Sequence, residues 1–219
     1  MLYLLYGTEN YLIKKEIDKI LDTNSIEKIN VSEYNLEIDN FKDIIEDANT
    51  ISLFADKKAI IVNNSYIFTG KNIKSDNDPE LFLDYFKNIN PDSIIIFTTD
   101  SEKLDERKKL VKEIKKIGTV KEFNKKNDLT DILKNMFEDY NVSIQDIRFM
   151  IDRCGNNLDI LSQEVNKIKI YKDTDKNITK EDIINLTSKN IDIDIFGFVD
   201  TIVNKNKNKA LEIYKEMLI

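Results

Sequence analysis

Four carboxylates, Asp100, Glu102, Asp105 and Glu106, follow the apolar run Ile94-Ile95-Ile96-Phe97. Beyond the C-terminal end of a strand in an open α/β sheet, paired carboxylates can hold a metal or work as acid and base. The competing reading is a solvated loop running into a helix whose N-terminal dipole favours acids, and it is the commoner one. Cys154 beside Gly155 is a second candidate, as a nucleophile. The chain has no histidine to activate it, and that absence also removes Ser-His dyads and most catalytic zinc sites. Cys154 therefore reads as a buried thiol at a helix end. The lysine doublets Lys14-Lys15, Lys108-Lys109, Lys115-Lys116 and Lys125-Lys126 could touch phosphates, but acids are interleaved with them and they read as solvated faces. No catalytic residue, metal ligand set or cofactor is expected.

The turn after the first strand is where a phosphate loop would sit, with backbone N–H groups and a helix N-terminus facing the anion. The pattern required is G-x-x-x-x-G-K-[ST]. Counting from Gly7 gives Gly7-Thr8-Glu9-Asn10-Tyr11-Leu12-Ile13-Lys14. Leu12 stands where the second glycine should be, Ile13 where the lysine should be, and Lys14 where the hydroxyl should be. Leu12 would block close backbone approach and Glu9 would repel phosphate. The apolar strand Ile60-Ile61-Val62 is followed by Asn63-Asn64, and neutral amides are poor substitutes for a magnesium-holding carboxylate. These departures argue against ATP hydrolysis.

One stretch fits its neighbours badly. Between a helical pattern (Phe41, Ile44, Ile45, Ala48) and the strand Ala59-Ile60-Ile61-Val62 lies Ile51-Ser52-Leu53-Phe54. Adjacent residues on a helix point about 100° apart, so one narrow apolar stripe would struggle to bury both Leu53 and Phe54. Either both belong to the core, or one or both stand out as an anchor for a partner.

The elements that would position these residues follow from periodicity. Leu2–Tyr6, Ile26–Val31, Ala59–Val62, Ile94–Phe97 and Thr119–Phe123 read as strands. Helical patterns separate them: one capped by Thr8 with Ile13, Ile17, Ile20 and Leu21 as its face, then Phe41–Ala48, Glu80–Phe86 behind Asp78-Pro79, and Lys103–Ile117 closed by Gly118. This alternation predicts an α/β domain with a five-stranded parallel sheet covered on both faces. From about residue 124 only helical signals follow: Asp128–Tyr140, Ser143–Arg153, Leu158–Tyr171 capped by Asn157, Lys180–Thr187 capped by Thr179, then Ile195–Val203 and Lys207–Ile219. The last pattern has no C-cap, so a further domain is expected to be missing. The 219 residues, 41% hydrophobic and 33% charged, suit a folded chain, and a net charge of −7 disfavours duplex DNA binding as the main task. No apolar run is long enough to span a bilayer and no signal peptide is legible. With a single cysteine, the expected compartment is the cytoplasm.

The order of these features resembles the delta subunit of bacterial DNA polymerase III, the wrench of the sliding-clamp loader. The resemblance runs from Tyr3-Leu4-Leu5-Tyr6-Gly7-Thr8-Glu9-Asn10-Tyr11-Leu12 through Ser52-Leu53-Phe54-Ala55 and Lys57-Lys58-Ala59-Ile60-Ile61-Val62. It continues in Ile94-Ile95-Ile96-Phe97, Arg107-Lys108-Lys109-Leu110, Gly155-Asn156-Asn157-Leu158 and Phe196…Val199-Asp200. It implies an AAA+-like α/β domain with a degenerate nucleotide site over residues 1–124, a small helical lid domain over 125–190, and over 191–219 the start of a helical collar domain that is mostly absent. Asp159 falls near where an active relative would carry its sensor arginine. The resemblance further implies that Leu53 and Phe54, with Ile51 and Ser52 beside them, form a hydrophobic plug for the beta sliding clamp. The full-length partners implied are the gamma/tau and delta-prime subunits, with primed DNA in the assembled loader. This chain is expected to bind the clamp without joining the pentamer. Two alternatives stay open: a nucleotide-hydrolysing AAA+ enzyme with an atypical loop, and a DNA-binding replication adaptor.

Overall fold

The computed structural model describes residues 1–50, 56–71, 78–190, 198–199 and 201–217. Two compact units emerge, residues 1–125 and 126–219.

In the first unit, β1 (Leu2–Tyr6), β2 (Val31–Asn35), β3 (Lys58–Asn63), β4 (Ser93–Thr99) and β5 (Thr119–Glu122) form one parallel sheet in the order β2-β3-β4-β1-β5. Register pairs Leu4 with Phe97 and Ile60 with Ile95. The central strands are apolar on both sides because both sides are covered. Leu2, Leu4, Ile60, Val62, Ile95 and Phe97 face one layer of helices, α2 (Phe41–Asn49), α3 (Glu80–Lys87) and α4 (Lys109–Ile117). Leu5, Ala59, Ile94 and Ile96 pack on the opposite side with Ile13 and Ile20 of α1 (Asn10–Thr23). The larger layer centres on aromatic rings: Phe82 lies 5.0 Å from Phe41 and 5.3 Å from Phe97, which lies 5.1 Å from Phe68. Each fully buried ring of this kind stabilises the fold by about 1.5–3 kcal/mol.

Several boundaries differ from the sequence reading, among them the helix read as Asp128–Tyr140, which is Thr130–Met136, and three have a clear physical cause. The strand expected over Ile26–Val31 begins only at Val31, because Ile26 is a buried anchor and residues 28–30 form a 3-10 turn that leaves Ile29 exposed. The helix expected from Lys103 begins at Lys109. Asp105 accepts a hydrogen bond from the Arg107 amide and donates its own amide to Phe68 O, so the chain is pinned as a turn there. Thr8 does not cap α1: the cap position is Glu9, with no side-chain cap bond, and Thr8 Oγ1 accepts from the Lys125 amide instead.

The second unit packs α5 (Thr130–Met136), α6 (Ile144–Cys154), α7 (Leu158–Tyr171) and α8 (Lys180–Leu186) around Leu133, Phe137, Met150, Leu161 and Ile183. Its caps are those expected: Ser143 accepts from the Asp146 amide, Asn157 from those of Asp159 and Ile160, and Thr179 with Asp182 makes a capping box. A two-residue strand, β6 (Asn141–Val142), pairs with β7 (Asn177–Ile178), which the all-helical reading of this region lacked. Gly155, at φ +87°, ends α6, and a Cβ there would lie 2.3 Å from Asn190 Nδ2. The Asn190 amide donates to Arg153 O, and the Arg153 guanidinium donates to Thr187 Oγ1 and to the Ile184 and Thr187 carbonyls. Helix α9 (Lys207–Met217) follows. No helix among the described residues is long and apolar enough to cross a membrane.

Candidate functional site

At the C-terminal ends of the strands, the turn after β1 is closed onto its neighbours. The Gly7 amide donates to Thr99 O at 3.1 Å and the Glu9 amide to Phe123 O at 2.8 Å. These two amides are therefore turned away from any phosphate. Gly7, at φ +136°, lies so close to the end of β5 that a Cβ would sit 2.3 Å from the Phe123 carbonyl carbon and oxygen. The glycine here serves contact between two strands' ends. Leu12 is half-buried on α1, and Lys14 is exposed. Beside them, Thr98 Oγ1 donates to Asn63 Oδ1 at 2.8 Å and Asn64 Nδ2 to Asn35 Oδ1 at 3.1 Å. A hollow of about 320 Å³ remains, lined in part by Asn10, Lys14, Asn63, Asn64, Thr98 and Asp100, at the small end of the range for ligand sites.

The four carboxylates after β4 do not converge. Asp105 is held by the Arg107 guanidinium through bonds of 2.8 and 2.9 Å, which with the Arg107 amide lower its pKa to about 2. Asp100 pairs with Lys71 at 3.3 Å and Glu106 with Lys115 at 2.5 Å, while Glu102 is exposed. Among the described residues no group of three Asp, Glu, Cys or His could hold a metal ion. Cys154 is buried, and burial pushes its thiol pKa up, away from the reactive thiolate. Asp159 lies in the first turn of α7, where its charge suits the helix dipole.

Ile51, Ser52, Leu53 and Phe54 lie outside the described residues. Both ends of that segment are described, at the N-terminal edge of the sheet, and they meet at one side chain. Lys58, the first residue of β3, has its ammonium group directed at the last turn of α2. It donates to Asp47 Oδ1 at 2.8 Å, to Thr50 Oγ1 at 2.6 Å and to the Asp47 carbonyl. The Lys58 side chain is only 9% exposed and that of Asp47 21%, so the pair is largely withdrawn from water. Asp47 also accepts from Tyr34 OH of β2 at 3.2 Å. Burial alone would raise the Asp47 carboxyl, but hydrogen bonds from Lys58, Ser32 and Tyr34 outweigh it and hold the pKa below the usual value. Tyr34 is driven the other way, to about 12, by burial and the Asp47 charge. The neighbouring carbonyl of Ala48 accepts from Asn90 Nδ2 and Ser93 Oγ at 3.0 and 2.6 Å. This cluster was not singled out from the sequence. Its one trace there is a lysine opening an otherwise apolar strand, since Asp47, Thr50 and Tyr34 come to it from two other elements.

A five-stranded parallel sheet in this order, with one helix and three helices on its two sides and a helical unit following β5, defines an AAA+-like α/β protein. The Thermotoga maritima RuvB Holliday junction branch migration motor shares the fold, with a TM-score of 0.50 at 12% identity over 84% of this chain and 60% of that one. Residues 3–124 match the family described as DNA polymerase III, delta subunit. The Bacillus subtilis (strain 168) DNA polymerase III subunit delta is 28% identical over 226 residues, spanning 99% of this chain. The solved Bacillus subtilis DNA clamp loader delta protein superposes with a TM-score of 0.88 at 26% identity, covering 99% of this chain and 67% of that one. The chain belongs to the DNA polymerase III delta-subunit family. It spans 65% of the length of the curated Bacillus relative.

Proposed function

We propose that this chain is a clamp-loader delta subunit of DNA polymerase III that works mechanically, binding the beta sliding clamp through Leu53 and Phe54, with Ile51 and Ser52 at their side, and hydrolysing no ATP. The observation that carries the reading is the match to the delta family across the sheet domain, which brackets the 51–54 segment. The turn after β1 supports the non-hydrolytic half: the Gly7 and Glu9 amides are engaged with Thr99 and Phe123, and Asn63-Asn64 follow the apolar run of β3 where a magnesium-holding carboxylate would be expected. Burying a leucine and a phenylalanine in a partner's pocket contributes about 3–6 kcal/mol before the costs of association. Such binding opens a ring only where the pocket surface fits the opened protomer better than the closed one, so the plug acts as a wedge for one conformation. In the full-length protein, residues 191–219 begin the collar that joins the gamma/tau and delta-prime subunits around primed DNA in the cytoplasm.

The test is capture of the sliding clamp from the same organism by the wild-type chain and by the Leu53→Ala/Phe54→Ala double variant. Wild type binds and the variant does not, while its unfolding transition stays in place. Unfolding of the double variant would instead make both residues core. Measurable Mg-ATP binding would revive the hydrolytic enzyme, and salt-dependent affinity for primed DNA without clamp would revive the adaptor.

A further inference from the structure

The lysines of α4 are unequally matched by acids. The helix carries Lys109, Lys112, Lys115 and Lys116 against one acid, Glu113, on a chain whose net charge is −7. Its first turn holds no acid, and Lys109 opens it where the helix dipole disfavours a cation. Lys115 and Lys116 are paired, with Glu106 at 2.5 Å and Glu113 at 2.7 Å. Lys109 meets Glu80 of α3 only at 4.0 Å, and the exposed Lys112 ammonium has no acid partner among the described residues. Residues 109, 112 and 116 recur at helical spacing and so share one face of α4, as residues 80, 83 and 87 do on α3. These faces border a groove of about 700 Å³, within the size range of ligand sites. Its apolar lining is Leu83, half-buried, Phe86, which packs on Phe97, and Ile117, 44% exposed at the end of α4. An isoleucine left so open adds little to the core.

We infer that the groove between α3 and α4 is a docking site for an acidic peptide segment bearing an apolar side chain. The apolar side chain covers Leu83, Phe86 and Ile117, and the carboxylates meet Lys109 and Lys112, one turn apart on the rim. Charge complementarity selects this occupant. Five lysines border the groove against three glutamates, and two of those glutamates are already engaged by Lys115 and Lys116. A nucleic-acid backbone, charged every few ångströms, would run against the glutamates. A peptide can place its few carboxylates at the two lysines that lack a close acid. No residue of the clamp-binding proposal lines this groove.

The experiment titrates the synthetic peptide Asp-Glu-Leu-Phe-Glu-Asp into the isotope-labelled 219-residue chain and follows backbone amide shifts by NMR. Saturable shifts are expected at residues 83, 109, 112 and 117. Lys109→Ala/Lys112→Ala should weaken binding about tenfold and Ile117→Ser about threefold, with thermal unfolding recorded for each variant. Control peptides with lysine at the acidic positions, or serine in place of leucine and phenylalanine, should bind at least tenfold more weakly. Shifts confined to other residues, equal affinity in the variants, or no binding at about 1 mM peptide overturn the site. Oligothymidine shifting these residues where the peptide does not assigns the groove to nucleic acid and overturns the peptide reading. Self-association of the chain that the double variant abolishes assigns it to a second copy, and overturns that reading too. Should the double variant fail to fold, Lys112→Gln decides: full wild-type affinity in that variant overturns the role of the rim.

Discussion

At the C-terminal edge of the sheet, Thr98 meets Asn63 and Asn64 meets Asn35 as neutral pairs, and the ion pair of Asp100 with Lys71 stands in water. The N-terminal edge is built the other way, with Lys58, Asp47, Thr50 and Tyr34 sharing a charge-assisted cluster largely out of water. Open α/β sheets ordinarily place their chemistry at the first edge, where helix N-termini and strand ends converge. Here the Gly7 and Glu9 amides of that edge are bonded to the Thr99 and Phe123 carbonyls, and the desolvated ion pair lies at the second. The two edges of one sheet thus differ in how their polar side chains are satisfied.

The sharpest way to break this contrast is at residues 53 and 54. Leu53→Ala/Phe54→Ala should lower clamp affinity at least a hundredfold and shift unfolding free energy by no more than about 1 kcal/mol. A competition binding curve and a urea titration report the two quantities. At the opposite edge, Gly7→Ala should destabilise the chain by about 3 kcal/mol or more, because the alanine must adopt a positive φ and its methyl meets the Phe123 backbone. Chemical denaturation checks it.

Acid separates the edges in a milder way. Asp47 and Asp105 both have folded-state pKa values below 3.8, that of Asp105 near 2. The stability they provide is therefore complete above about pH 4 and is lost as pH falls through the folded values. Urea midpoints should stay level from pH 7 to about 5 and drop below pH 4, and Asp47→Asn should drop less steeply. The smallest effect belongs to the C-terminal edge: on the proposed non-hydrolytic reading, 1 mM Mg-ATP should move the melting temperature by less than about 1 °C, read by differential scanning fluorimetry.

Much of this architecture was legible in the residues themselves. Runs such as Ile94–Phe97 declare a strand covered on both faces, and Ser143, Asn157 and Thr179 start their helices because a capping side chain acts on an amide two or three residues away. The departure of Gly7–Lys14 from the phosphate-loop pattern is equally readable, since the spacing requirement is local. Features that depend on distant partners were not. Thr8 looked like a cap until the Lys125 amide, 117 residues on, claimed its oxygen. The β6–β7 pairing is two residues deep, too short for any periodicity to show. Lys58 and Asp47 are 11 residues apart on different elements, and neither residue alone signals the bond between them.

The end of α6 has a mechanical consequence. Gly155 leaves no room for a side chain against Asn190, and Arg153 holds the Asn190 amide through its carbonyl while its guanidinium grips Ile184 and Thr187. Residue 190 is thus tied to α6 and to the end of α8 together. Tension applied at residue 190 is therefore shared by two helices of one core.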